Sequence, residues 1–379
     1  MKIGISAFAG DAGKSGISQY MMNIFRRLPE LAPEDRFVLF MAEQDRKFLA
    51  IDHPHVEVVS YPSWTGHPIL SILWHLLWFP IALRRQRCDC AFMPAGNRRL
   101  AWWYGVPSVS TIHDLSQLHV PAKYDAFRMF YIMRVLPMMM RRLTRVLSIS
   151  ESTRRDLEEF VGIDPERIRV VYNGADLERF SPSSKEAAKE RVSAATSIPH
   201  HYLLYISRLE HPGKNHVRLI EAFAKVKRRT DLPHKLVLVG SRWSGSEAID
   251  EAVERTGMQD EVIFPGFLPN EVLPDLYRAA DLFVFPSLFE GFGIPPLEAM
   301  MSGTPVVASN AASIPEVVGD AGLLFDPEDT DAMADAIETV LTDDKLAAEL
   351  VAKGLLQAKR FSWDEAAQGV LDLCHETAA

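Results

Sequence analysis

The chain has 379 residues, of which 47% are hydrophobic and 24% charged, and its formal net charge is −9. The length suits two domains rather than one, and the composition excludes a disordered or collagen-like chain. Three cysteines, Cys88, Cys90 and Cys374, show neither disulfide-framework nor zinc-ligand spacing and read as reduced, buried thiols of a cytoplasmic protein.

Met1 to Ser6 reads as a short apolar strand that runs directly into a loop, with no leader pattern. Gly10 to Gly16, GDAGKSG, is glycine-rich, and Ile17 to Leu28 follows as an amphipathic helix. Gly13-Lys14-Ser15 matches the end of a phosphate-binding P-loop, but that pattern needs glycine where Phe8 stands. A P-loop NTPase is therefore the weaker reading. Strands are expected at Phe37–Met41 and Val56–Tyr61. Trp64 to Arg87 then reads as one Trp-rich apolar helix with a basic end at Arg84, Arg85 and Arg87. Packing against a sheet is its plainer role, and docking on a bilayer interface is the alternative. Its apolar part, Pro68 to Leu83, contains His75 and Pro80 and falls short of the ~20 residues a spanning helix needs.

Between Ser60 and Ser150 eleven Arg or Lys accompany three Asp, a local charge of +8 that leaves −17 for the rest of the chain. That asymmetry suggests an anionic membrane surface or substrate for this half, with no nucleic-acid partner. Asp89–Pro94 is the next expected strand. Val106–Ile112 follows and delivers His113 and Asp114 at its carboxyl end, where parallel sheets place ligands. Tyr124–Leu143 reads as a long helix whose run Met138-Met139-Met140 is core rather than binding surface. Arg145–Ile149 is a strand, Ser150 opens a helix with capping hydroxyls, and Ile168–Tyr172 is the last strand of this half. Ser181 to Ser197 starts as a linker.

Tyr202–Ser207 begins the second half as a buried strand. Arg208 stands at its exit and Lys214 opens the next helix, which together would make an anion pocket, although a lone Arg and a lone Lys are ordinarily surface residues. Strands at Leu236–Gly240 and Val262–Gly266 and a helix at Asn270–Ala279 lead to the apolar run Asp281–Pro286. A turn with Glu290, Gly291, Phe292 and Gly293 follows, and Ile294, Pro295 and Pro296 open a helix carrying Glu298 that stops before Gly303 and Pro305. Glycine lets backbone approach a ligand, and the free N–H groups of a helix start suit a phosphate. Two carboxylates beside an anion site make sense as acceptors for hydroxyls. Phosphates in the middle with polyols at both ends describe a nucleotide sugar. The plainer reading of Glu298 is a residue on a solvated helix face. Strands at Thr304–Ala308 and Gly322–Phe325 and three terminal helices complete the chain.

The Glu-x7-Glu spacing of Glu290 and Glu298 is weak alone. EGFGIPPLEAM followed by SGTPVVAS and SIPEVVGDAG is specific, and resembles the GT4 (group 1) family of retaining GT-B glycosyltransferases. The resemblance runs through most of the chain: Ser15-Gly16-x-x-x-Tyr20 is similar to the family's Gly-Gly-x-x-x-Tyr loop, TIHDL to its His-Asp loop, and SRLEHPGKNHVRLIEAF to its diphosphate-binding segment. It implies an α/β protein with two Rossmann-like domains facing across a cleft, 1–180 binding acceptor and 181–362 binding donor, with a helix near 363–379 returning to the first. It further implies His113 and Glu290 as catalytic residues. Gly16, Arg208, Lys214, Gly291, Phe292, Gly293, Ile294 and Glu298 would bind donor. Asp114 would orient His113 or touch the acceptor, and neither metal nor cofactor would be needed. The segments look most like bacterial mannosyltransferases of polysaccharide assembly, which suggests hexose transfer from GDP-mannose to a lipid-linked saccharide at the inner face of the membrane, with UDP-sugar donors open. A nucleotide-sugar-binding subunit without transferase activity is the alternative from another class.

Overall fold

The computed structural model describes residues 1–8, 15–119 and 129–379. The expected glycine-rich loop, including Gly10, Gly13 and Lys14, and the start of the expected Tyr124 helix lie outside these residues. The chain divides into two compact units, Met1–Gly174 with Ser362–Ala379, and Ala175–Phe361. Phe180 already packs in the second unit, edge-on to Tyr277 at 5.7 Å.

The first unit is built on seven parallel strands: β1 (Lys2–Ser6), β2 (Arg36–Ala42), β3 (Val56–Tyr61), β4 (Cys90–Met93), β5 (Ser108–Ile112), β6 (Arg145–Ser148) and β7 (Ile168–Val170), in the order β3-β2-β1-β4-β5-β6-β7. β2 shows why these residues form a central strand. Phe37, Leu39 and Met41 enter one core while Val38, Phe40 and Ala42 enter the other, so both faces are covered. The helices Gly16–Leu31 and Trp363–Ala378 close the first core through Tyr20, Ile24, Phe25, Val370, Leu371 and Cys374. Each such side chain contributes about 1.5–3 kcal/mol on burial.

The second unit has six parallel strands: β8 (Tyr202–Ile206), β9 (Lys235–Val239), β10 (Val262–Gly266), β11 (Leu282–Phe285), β12 (Val306–Ser309) and β13 (Gly322–Phe325), in the order β10-β9-β8-β11-β12-β13. Both sheets reverse their strand order beside the first strand, between β1 and β4 and between β8 and β11. In such sheets ligands bind outside the carboxyl ends at that reversal.

One expected element is corrected. Trp64 to Arg87 is not a single helix but a short turn at Ser63–Gly66 and two helices, Pro68–Leu77 and Phe79–Arg85. Pro80 has no N–H to give and its ring excludes the carbonyl of Leu76, which breaks the helix at Trp78. Ser71, Trp74, His75, Phe79 and Leu83 are buried against the sheet, while Ile69, Leu73, Leu77, Trp78 and Ile81 are exposed. Of the methionine run, Met139 and Met140 are core and Met138 is exposed. No helix among the described residues is long and apolar enough to cross a membrane.

Candidate active site

In the second unit the sequence between β11 and its following helix makes a tight turn. The helix spans Ile294–Met301 and its N-cap is Gly293, with φ 125° and ψ 53°. L-residues avoid that backbone, and glycine adopts it freely. No side chain caps this helix start, whereas Ser184, Asp329, Asp343 and Ser362 cap others. Pro295 and Pro296 have no N–H, so the backbone N–H groups of Gly293 and Ile294 are the ones this turn can offer an anion at the positive end of the dipole. Ser313 fixes the turn from behind: its hydroxyl donates to the carbonyls of Glu290 at 2.8 Å and Phe292 at 2.7 Å. The Phe292 ring is buried against Phe361, 5.6 Å away, so Phe292 has backbone rather than side chain to offer a ligand.

Lys214 and Glu290 come from the exits of β8 and β11, neighbours in the sheet. Lys214 Nζ donates to Glu290 Oε1 at 2.7 Å, with both side chains 18% exposed. The backbone under Lys214 is held on two sides. Tyr205 Oη, buried in β8, donates to the Lys214 carbonyl at 2.9 Å. Asn215, in the left-handed region at φ 58°, donates to the carbonyls of Pro286 and Pro327 at 3.0 and 2.8 Å. Arg208, also at the β8 exit, is exposed and pairs with Glu210 at 2.9 Å.

Glu298 does not lie on a solvated face. It is half-buried, and Tyr277 Oη donates to its Oε2 at 2.8 Å. Burial pushes its carboxyl up to about 7, against the lowering effect of the Tyr277 bond and of Arg179. Such a carboxyl changes charge near neutrality.

In the first unit His113 follows β5 and is buried. Its Nε2 lies 2.7 Å from the Pro94 carbonyl. A carbonyl only accepts, so Nε2 carries the proton and Nδ1 is the acceptor side of the ring. Burial lowers its pKa to about 4, so the imidazole is neutral at pH 7. The Tyr20 ring packs edge-on at 4.8 Å, and Asn97 accepts the His113 backbone N–H at 2.9 Å. Asp114 does not orient His113. Its Oδ1 accepts from the backbone N–H and hydroxyl of Ser116 at 3.1 and 2.9 Å, and the Pro94 carbonyl does the orienting instead. Gly16 is the first residue of its helix, capped by Ser15, and an added Cβ would meet nothing within 4 Å among the described residues.

Sequence reasoning missed the supporting shell of Ser313, Tyr277, Tyr205, Asn215 and Pro94. Tyrosines and a serine inside otherwise apolar elements were the available signal, since buried hydroxyls need partners. Two other features stand apart from these residues. A cavity of about 400 Å³ in the first unit is lined by Arg145, Arg154, Arg167 and Arg169, but these arginines already bond Glu158, Glu376 or backbone carbonyls. His201, His234 and Asp281 bring ligand-type atoms within 4.8 Å of one another, but at the amino ends of β8, β9 and β11, where Asp281 also takes Lys185 and Lys189.

Two doubly wound parallel sheets of this kind are the fold of the GT-B glycosyltransferases. Residues 188–357 match the family model described as glycosyl transferases group 1, and residues 14–179 match that of glycosyltransferase family 4. The chain belongs to this family. It is 36% identical over 257 residues to O-antigen chain mannosyltransferase B of Escherichia coli, covering 68% of this chain and 67% of that one. It is 32% identical over 262 residues to the serotype-specific mannosyltransferase WbdA of Escherichia coli, covering 68% of this chain but 32% of the relative. The chain thus spans about two thirds of the first relative and about a third of the second. Among solved structures, sucrose-phosphate synthase from Thermosynechococcus elongatus is similar with a TM-score of 0.78 at 23% identity, covering 99% of this chain and 98% of that one, a likeness of fold alone.

Proposed function

We propose that the protein is a retaining, metal-independent hexosyltransferase that moves mannose from GDP-mannose to a hydroxyl of a lipid-linked saccharide in polysaccharide assembly. The observation that carries this reading is the Lys214–Glu290 pair beside the uncapped start of Ile294–Met301. A cation, a helix start and a carboxylate suit, in turn, a diphosphate and a sugar. The mannosyltransferase relatives favour the choice of sugar.

In the reaction the bond from the anomeric carbon to the donor diphosphate breaks, and a bond to the acceptor oxygen forms on the same face. The acceptor proton passes to the departing diphosphate oxygen. Arg208, Lys214 and the backbone of Gly291, Phe292, Gly293 and Ile294 stabilise the charge that develops there. Glu290 holds sugar hydroxyls and Glu298 the ribose hydroxyls. Neutral His113 meets the sugar without adding charge, and Asp114 serves the acceptor.

The first unit also presents an apolar face that suits a bilayer. Ile69, Leu73 and Leu77 recur at four-residue spacing on one helix and are exposed, and Trp64, Trp78, Ile81, Trp103 and Phe130 of the same unit are exposed as well. Exposed Arg84, Arg85 and Arg134 flank them in sequence, and Arg142 lies over Trp102 at 4.4 Å. Apolar side chains with a basic rim fit an anionic membrane surface, where a lipid-linked acceptor resides.

Calorimetry with GDP-mannose, UDP-glucose and UDP-N-acetylglucosamine, followed by transfer assays with the donor that binds, tests the activity. GDP-mannose is expected to bind without added metal, with binding weakened at least tenfold in Lys214→Ala. Binding of a UDP-sugar alone would overturn the donor, and binding of none would overturn the transferase reading. Sedimentation with vesicles rich in anionic lipid tests the membrane face, and failure to bind at low salt removes it.

A further inference from the structure

Beyond the carboxyl edge of the second sheet, the loops leaving β8 and β9 continue as a short ribbon. The Leu209 N–H donates to the Ser241 carbonyl at 2.9 Å, and the Trp243 N–H to the Leu209 carbonyl at 2.9 Å. The His211 N–H donates to the Ser244 carbonyl at 3.2 Å, and Leu209 pairs with Arg242 in a parallel bridge. The ribbon starts where Gly240, at φ 149°, touches the β8 exit: a Cβ there would stand 1.8 Å from the Ser207 carbonyl oxygen. It is pinned to the helix Glu247–Thr256 by Arg242, whose two Nη atoms reach Asp250 at 2.6 and 2.9 Å. Leu209 is buried beneath it.

Two exposed side chains stand on this ribbon. Trp243 is 58% exposed, and the Arg208 guanidinium lies over its ring, 5.4 Å from the centroid. Glu210 holds the same guanidinium through Nη2 at 2.9 Å. An exposed arginine otherwise samples many rotamers, at about 2 kcal/mol of entropy. Here one carboxylate and one aromatic face, both on fixed backbone, restrict it. Glu210 engages one of the nitrogens, and the remaining N–H groups of the fork are the ones that suit phosphate oxygens.

We propose that Trp243 is a positioning residue of the donor site: it holds the Arg208 guanidinium in place to receive the diphosphate of a nucleoside-diphosphate ligand. This rests on the reading of the second unit as the donor-binding one. Its cause is the attraction between the cation and the ring face together with the rigidity of the ribbon. No covalent step is involved.

The test is a double-mutant cycle on the full chain, with GDP and UDP as probes in calorimetry and donor KM and kcat as the second readout. Trp243→Ala is expected to weaken binding of the preferred nucleoside diphosphate about 3- to 10-fold. Donor KM should rise with kcat nearly unchanged, and Trp243→Phe should restore most of the loss. In an Arg208→Ala background, Trp243→Ala should add nothing, because the cation it positions is gone. An unchanged Trp243→Ala overturns the proposal. So does an equal loss in the presence and absence of Arg208, which would make the indole a direct contact for the base. If Arg208→Ala itself binds like the parent, the proposal falls while donor binding stands. If the parent protein binds neither GDP nor UDP, the donor-site reading falls with it. The exposure of Trp243 keeps these variants folded, which an unchanged Tm verifies.

Discussion

Glu298 sets the residue-scale expectation. Its carboxyl is pushed up to about 7 by burial, so it is largely neutral below that pH and charged above it. A carboxylate makes hydrogen bonds to hydroxyls roughly twice as strong as a neutral group does. Donor affinity should therefore rise as pH increases through about 7. In Glu298→Gln the step should vanish and affinity should stay at the low-pH level. Isothermal titration from pH 5.5 to 8.5 measures both, and a step that persists in the variant would assign it to another group. The pairing of Lys214 with Glu290 makes a second case. Glu290→Gln leaves the ammonium without its anionic partner while preserving shape. It should lower kcat at least 100-fold with donor affinity changed only a few-fold, because in the proposed arrangement the sugar hydroxyls keep only a neutral amide oxygen in place of a charged acceptor while the diphosphate keeps its cation. Equal loss in affinity and kcat would place Glu290 on the diphosphate side.

At the scale of elements, the turn between β11 and its helix depends on Ser313 as much as on its glycines. Ser313→Ala removes both bonds that tie down the carbonyls of Glu290 and Phe292. Thermal unfolding should show a loss of about 1–3 kcal/mol, with kcat falling more than stability alone explains. Wild-type activity in that variant would separate the serine from the site. Element by element, the strands were legible because both sheets are covered on both faces. Runs such as Leu282–Phe285 and Tyr202–Ile206 are apolar without interruption, and the turns after them are marked by Gly and Pro. The stretch from Trp64 to Arg87 was not legible as two helices, because its hydrophobicity is continuous across Trp78 and Pro80 can also open a helix. At the site, Lys214 and Glu290 each stood out by neighbouring motif. Their contact spans 76 residues and depends on β8 lying beside β11, a pairing that no local pattern records. The Pro94 carbonyl that fixes His113 was equally invisible, since every residue has a carbonyl and only the tertiary path of the loop selects this one.

For the whole molecule, burial holds three histidines neutral: His75 lowered to about 3, His113 to about 4 and His216 to about 3. In the unfolded chain each protonates near 6.5. Their contribution is complete above that pH and is lost as pH falls from 6.5 towards 4 and then 3, on the order of 3–5 kcal/mol for each. Glu298 works in the opposite sense, since its raised pKa favours the folded state more at low pH. Asp156 is raised as well, but Asp35, Glu261, Asp275 and Asp281 are held low by their cationic partners and lose stability on acidification as the histidines do, which leaves a net loss. Melting temperature should fall steeply between pH 6.5 and 4, and a flat profile there would contradict the burial assigned to these rings.

The helix Trp363–Ala378 packs on Gly16–Leu31 in the first unit, although all of the second unit lies between them in the chain. During synthesis this has a temporal consequence. Residues 1–174 emerge first but lack Val370, Leu371, Leu373 and Cys374 of their own core. The unit that starts first on the ribosome is therefore completed last, and the second unit has its whole sequence available earlier. Nascent chains stalled before residue 362 should present a protease-resistant second unit beside a protease-sensitive first one. The protein would then complete its second unit before its first.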